Sequence, residues 1–180
     1  APDSGRKILA QLAGRNIVQL VKDDIRPSTI LTKTAFENAI KVNAAIGGST
    51  NFAIHLLAIA GRVGIPLHLD DIDRCSSGIP LLANLQPSGK YFMEDFYYAG
   101  GLPALIKELM PHLDTSVPTV NQKTYEENYH NSECFNSDVI APLAQPFNHL
   151  SGIVVLKGNL CPNGAVIKPS AASKHLMQHK

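Results

Sequence analysis

The residues with the clearest chemical potential are Gly47-Gly48-Ser49-Thr50-Asn51. The two glycines let the backbone turn sharply and approach a neighbour closely. Ser49, Thr50 and Asn51 are residue types that satisfy the free N–H groups of a first helical turn. The apolar run from Phe52 to Ala60 behind them makes this a helix start, and such a start is a natural place to hold an anion. Asp70, Asp71 and Asp73 invite a metal reading, but a calcium loop needs oxygen ligands at alternating positions, a central glycine and a distant glutamate. They read instead as the negative first turn of a short helix, with Asp70 or Asp71 as its cap. Cys75, Cys134 and Cys161 show neither CxxC nor zinc-finger spacing, so this chain alone is not expected to build a metal site, and they read as reduced thiols. One exposed thiol coupling to another chain is the alternative. His55 has no partner motif and reads as a hydrogen-bonded core histidine rather than a base. Lys90, Glu94 or a tyrosine hydroxyl beside Gly100-Gly101 is a further candidate for reaching a polar ligand.

These residues need elements to position them. Apolar residues at Ile8, Leu9, Leu12, Ile17, Val18, Leu20 and Val21 recur at helical spacing. That predicts an amphipathic helix over Gly5 to Asp24, with Gly14 as a place for it to bend and Arg26-Pro27 as its end. Thr34-Ala35-Phe36-Glu37 has the pattern of a capping box, which predicts a second helix from about Ala35 to Ile46. The helix from Ser49 to Arg62 is apolar on nearly every side and is expected to be buried. Gly64 to Leu69 reads as a short strand, and Ile79 to Leu85 as a strand or a packed loop. The aromatic run from Tyr91 to Tyr98 is expected to fill a core or an interface. Leu102 to Leu113 reads as a helix with Pro103 in its first turn. The polar segment Asp114 to Asp138 reads as a linker with one short helix opened by the capping pattern Thr124 to Glu127, and the domain boundary falls near Pro118. Gly152 to Gly158 and Gly164 to Lys168 then read as strands of an antiparallel sheet or barrel.

Composition narrows the classes. Sixteen basic residues against fifteen acidic ones, with no basic block, argue against a nucleic-acid partner. The Phe52 to Ala60 run is far short of the roughly 20 residues that span a bilayer, so no membrane span is expected. Only 17% of residues are charged, against about a quarter in an average domain, which implies surface covered by a partner chain or by further sequence. The start, Ala1-Pro2-Asp3-Ser4-Gly5-Arg6, has no signal layout and no initiating Met and reads as an interior cut.

Four blocks then carry a resemblance: Ala35 to Ile40; Gly47 to Asn51 with His55 to Ala60; Pro87 to Tyr91 with Met93-Glu94-Asp95 and Ala99-Gly100-Gly101; and Gly158-Asn159-Leu160 with Gly164 to Ala171. Together the chain resembles the dihydroxy-acid dehydratases and their relatives, the sugar-acid and phosphogluconate dehydratases. The block from Met93 to Pro103 is more similar to sugar-acid dehydratases, such as those for arabinonate or xylonate, than to the branched-chain biosynthetic enzyme.

The resemblance implies an α/β fold: the helix-rich end of an α/β iron–sulfur domain over 1–117, a linker over 118–138, and the first strands of a C-terminal β-barrel-like domain over 139–180. It implies a cytoplasmic hydro-lyase, a dimer or tetramer as the whole protein, that converts 2,3-dihydroxy acids into 2-keto-3-deoxy acids. An iron–sulfur cluster would act on the departing C3 hydroxyl, magnesium would hold the carboxylate and C2 hydroxyl, and a serine would take the C2 proton. The family's cluster cysteines, metal carboxylates and serine base lie in motifs that this chain lacks. It therefore reads as an interior fragment, inactive alone and binding neither cofactor by itself, with no catalytic or metal-ligating residue assigned. Ser49, Thr50 and Asn51 are the candidates to line or support the substrate pocket. A non-catalytic binding or oligomerisation module on the same scaffold is the alternative.

Overall fold

The computed structural model describes residues 4–173 and 175. It contains α1 (Ser4–Lys22), α2 (Pro27–Ile30), α3 (Lys33–Ile46), α4 (Asn51–Arg62), α5 (Leu69–Ser76), α6 (Met93–Tyr98), α7 (Gly101–Leu109), α8 (Tyr125–Tyr129), β1 (Val154–Gly158) and β2 (Cys161–Ile167). The result is helix-rich with one small antiparallel sheet, in keeping with an α/β class.

Helix α3 is the spine. Its first half sends Phe36 and Ile40 into a cluster with Ala53, Leu56 and Ala60 of α4 and Ile72 and Cys75 of α5. Its last turn sends Ala44 and Ala45 into a second cluster with Leu82, Phe96, Leu105, Leu109 and Ile140. Large residues at the start and alanines at the end let one helix serve both, because alanine admits close approach of the 79–85 segment. Leu82 N–H donates to the Ala45 carbonyl at 2.8 Å. Between the clusters, fully buried Asn38 accepts from Asp114 N–H (3.1 Å) and donates to the Asp114 carbonyl (2.9 Å), fixing the chain after α7 to the spine.

The cap of α3 differs from the expected one. Thr32, not Thr34, occupies the cap, its hydroxyl accepting from Ala35 N–H at 3.2 Å. Glu37 pairs instead with Arg74 of α5 at 3.0 Å, so the helix starts two residues earlier and the Glu serves a tertiary contact. Thr32→Ala will therefore lower stability by about 1 kcal/mol, while Thr34→Ala leaves it unchanged or slightly raised. Paired urea melts check this; equal losses would return the cap to Thr34.

Two further expectations are corrected. Helix α4 is not buried all round: Ala53, Leu56 and Ala60 face the core while Ile54 is 70% exposed. An apolar composition calls for cover, but cover on one side only is what the described chain supplies. Gly64 to Leu69 forms no strand, because no partner strand lies beside it, and Leu69 already belongs to α5. The aromatic run divides as well: Phe96 is buried, while Phe92, Tyr97 and Tyr98 are exposed.

The remaining elements follow the pattern read from sequence. Helix α1 is continuous through Gly14, and its apolar residues touch no core, Leu9 being 65% exposed. Residues 79–85 run as a packed loop with isolated bridges from Leu81 to Asn148 and Ala83 to Ile140. At α8 the Thr124 hydroxyl accepts from Glu127 N–H and the Glu127 carboxylate accepts from Thr124 N–H, a reciprocal capping box. The two strands pair antiparallel with Val154 opposite Ile167 and Val155 opposite Val166. Val155 and Val166 rest on the α4–α5 cluster, which supplies the apolar cover that a lone hairpin lacks.

Candidate functional site

The Gly47-Gly48 turn ends α3 and opens onto a cavity of about 490 Å³. Gly47 adopts the left-handed conformation (φ 63°) that a helix end often takes, and its N–H donates to the Ala44 carbonyl at 3.2 Å. Gly48 N–H donates to the Asn43 carbonyl at 3.0 Å. Ser49 then caps α4 from one residue further out than expected, its hydroxyl accepting from Asn51 N–H at 3.2 Å. Thr50 stands at the cap position with helical backbone angles and no side-chain bond. Ser49 and Thr50 line the cavity; Asn51 is exposed and does not.

The far wall comes from the end of the hairpin. Gly152 packs on the Gly47 turn so closely that an added Cβ would lie 2.5 Å from Gly47 Cα and 2.9 Å from the Ala44 carbonyl oxygen, and Gly152 N–H donates to that oxygen at 3.2 Å. This contact carries Lys168, the residue after β2, across Gly47 and into the cavity wall. Leu85, Pro87 and Met93 complete the apolar side, with Gln86 between the first two. Burial pushes the Lys168 ammonium down from its ordinary pKa, and among the described residues no carboxylate lies within ion-pair reach of it.

Neither Lys168 nor Met93 was singled out from sequence as a site residue. A lysine closing an apolar strand before a proline is commonplace, so only the fold distinguishes this one. Other candidates lie elsewhere. His55 is exposed on α4 rather than in the core. Lys90 sits over the Tyr91 ring, 5.3 Å from its centroid, and neither it nor Glu94 lines the cavity. The aspartates lie in the first turn of α5, but its cap is His68 rather than Asp70 or Asp71. Asp71 pairs with Arg74 at 2.9 Å and accepts from His68 N–H at 3.0 Å, and both contacts hold its carboxyl below the usual range. Asp70 pairs with Lys157 of β1.

Cofactor fit can be tested on the same side chains. Cys75 is buried and its thiol is pushed up by desolvation, the opposite of what a thiolate ligand needs, while Cys134 and Cys161 are exposed and unbridged. Among the described residues no three His, Cys, Asp or Glu side chains gather where they could hold a metal ion. The described residues thus gather no ligand set for a cluster or a magnesium ion. No helix of the described residues is long and apolar enough to cross a membrane.

The family model described as "Dihydroxy-acid/6-phosphogluconate dehydratase N-terminal" matches residues 1–128, and its C-terminal counterpart matches residues 138–180. The chain is 58% identical to the L-arabinonate dehydratase of Rhizobium leguminosarum bv. trifolii over 99% of its own length and 31% of that protein's. It is 48% identical to the L-arabonate dehydratase of Azospirillum brasilense, over 100% of this chain and 31% of the relative. With the dihydroxy-acid dehydratase of Caldicellulosiruptor bescii it shares 47% identity over 96% of this chain and 32% of the relative. The chain thus spans about a third of the length of these relatives, and it belongs to the dihydroxy-acid/6-phosphogluconate dehydratase family.

Proposed function

We propose that this chain is part of a hydro-lyase that removes water from a 2,3-dihydroxy acid, with a sugar acid as the preferred substrate. The observation that supports it most is that both family models match one chain in order, across the two walls of the cavity. In the reaction the C2 hydrogen and the C3 hydroxyl leave as water, and the resulting enol becomes a 2-keto-3-deoxy acid. An iron–sulfur cluster and magnesium would supply Lewis acidity in the whole protein. The described residues of this chain gather no ligand set for either. What this chain contributes is a wall of the pocket, with Ser49 and Thr50 facing it and Asn51 supporting the turn through its bond to Ser49.

In this reading residues 1–117 close the α/β domain, 118–138 link, and 139–180 open a β-barrel-like domain. The whole protein is a cytoplasmic homo-oligomer. The uncovered apolar stripe of α1 also suits a non-catalytic interaction module, which is the second reading. Assay of the full reading frame, loaded with iron, sulfide and magnesium, separates the two. Release of 2-keto acid is expected, faster from L-arabinonate than from a branched-chain dihydroxy acid, with no turnover by the 180-residue chain alone. A full-length protein without turnover on either acid would leave the module.

A further inference from the structure

Among the described residues that line the cavity, Lys168 is the one charged side chain, and no described Asp, Glu, His or Cys joins it there. Its stem crosses Gly47, where an added Cβ would come within 3.9 Å of Lys168 Cε, so the ammonium is carried to the cavity by a close backbone approach rather than left to solvent. An unpaired cation in a partly desolvated wall is held at a free-energy cost that a bound anion offsets. The Ser49 and Thr50 N–H groups donate to no described residue, leaving two further donors on the same rim. Opposite them Ile46, Leu85, Pro87 and Met93 form an apolar face.

We propose that this cavity is a carboxylate-binding site in which Lys168 and the Ser49–Thr50 backbone hold the carboxylate of a small organic acid, whose carbon chain lies against Met93 and Pro87. The charge requirement follows from the geometry alone. That the acid is a polyhydroxy acid rests on the dehydratase reading. The described lining offers no Asp, Glu, His or Cys, so the contacts proposed here are made by the ammonium and backbone N–H groups of this chain.

The test uses the full-length protein labelled with 13C at methionine methyl groups, without added metal, the Met93 signal being assigned by Met93→Leu. Gluconate is expected to shift that signal saturably, whereas glucitol, which has the hydroxyl groups without the carboxylate, is not. Inorganic phosphate distinguishes a general anion site from a carboxylate site: displacement of gluconate only at concentrations far above its own Kd is expected. Lys168→Met weakens gluconate binding at least tenfold, and Lys168→Arg restores most of it. If Lys168→Met disturbs folding, Lys168→Gln removes the charge with a polar side chain and gives the same readout. Equal binding of gluconate and glucitol, or unchanged binding in both charge-removing variants, overturns the site. Failure of the dehydratase reading shows separately, as a wild-type protein that binds gluconate through Lys168 yet releases no keto acid.

Discussion

Gly152→Val will loosen the hairpin from the helices. A Cβ at this position meets backbone on two sides, Gly47 Cα at 2.5 Å and the Ala44 carbonyl at 2.9 Å. Neither is the movable end of a side chain. Either the hairpin lifts or the last turn of α3 unwinds, and both break the Gly152 N–H bond to Ala44. A loss of about 2–3 kcal/mol is expected in urea denaturation, together with loss of the gluconate-induced Met93 shift, since Lys168 no longer reaches the cavity. Gly158→Ala is the control, because a Cβ there meets nothing within 4 Å, and it should change stability by less than about 0.5 kcal/mol. A Gly152→Val protein as stable as the Gly158→Ala one would show that the two backbones are not in contact.

Leu105→Ala will be the costliest single truncation in the core. Leu105 is fully buried in α7, at the centre of the cluster that joins the end of α3 to residues 79–85 and Ile140. Its walls come from separate segments, each held by its own backbone bonds, so the cavity left behind collapses only partly. Roughly 2–5 kcal/mol is expected, with an unchanged denaturant slope. Leu9→Ala in α1, where the side chain is 65% exposed, should stay within about 0.5 kcal/mol of the parent. Similar losses at the two positions would mean that α1 is packed in solution.

Much of this arrangement is legible in the residues. The periodicity of α1, the Pro103 start of α7, the capping box of α8 and the β-branched runs of the hairpin are each local signals with local causes, and each element forms where its signal stands. The cap of α3 is displaced for a reason that is only half local. Thr32 and Thr34 are the same residue type, and the Glu37 that favours Thr34 is claimed by Arg74 from another helix. What composition does not encode is cover. Helix α4 and the aromatic run have the residues of buried elements, yet Ile54, Tyr97 and Tyr98 lie exposed, because burial depends on what packs beside an element. The Gly47 to Asn51 turn is readable as a helix start of the kind that can hold an anion; the cavity beside it is not. Nor is Lys168, since its meaning comes from a contact between glycines far apart in sequence.

That contact also bears on how the protein acquires its site. Gly47 and Gly152 are separated by about a hundred residues, so joining them closes a long loop at an entropic cost that local helix and hairpin formation do not offset. Each wall can form early from its own neighbours in the chain, but the space between them is a product of long-range closure, the slow part of folding for mixed topologies. A chain caught midway would hold its secondary structure and have no cavity.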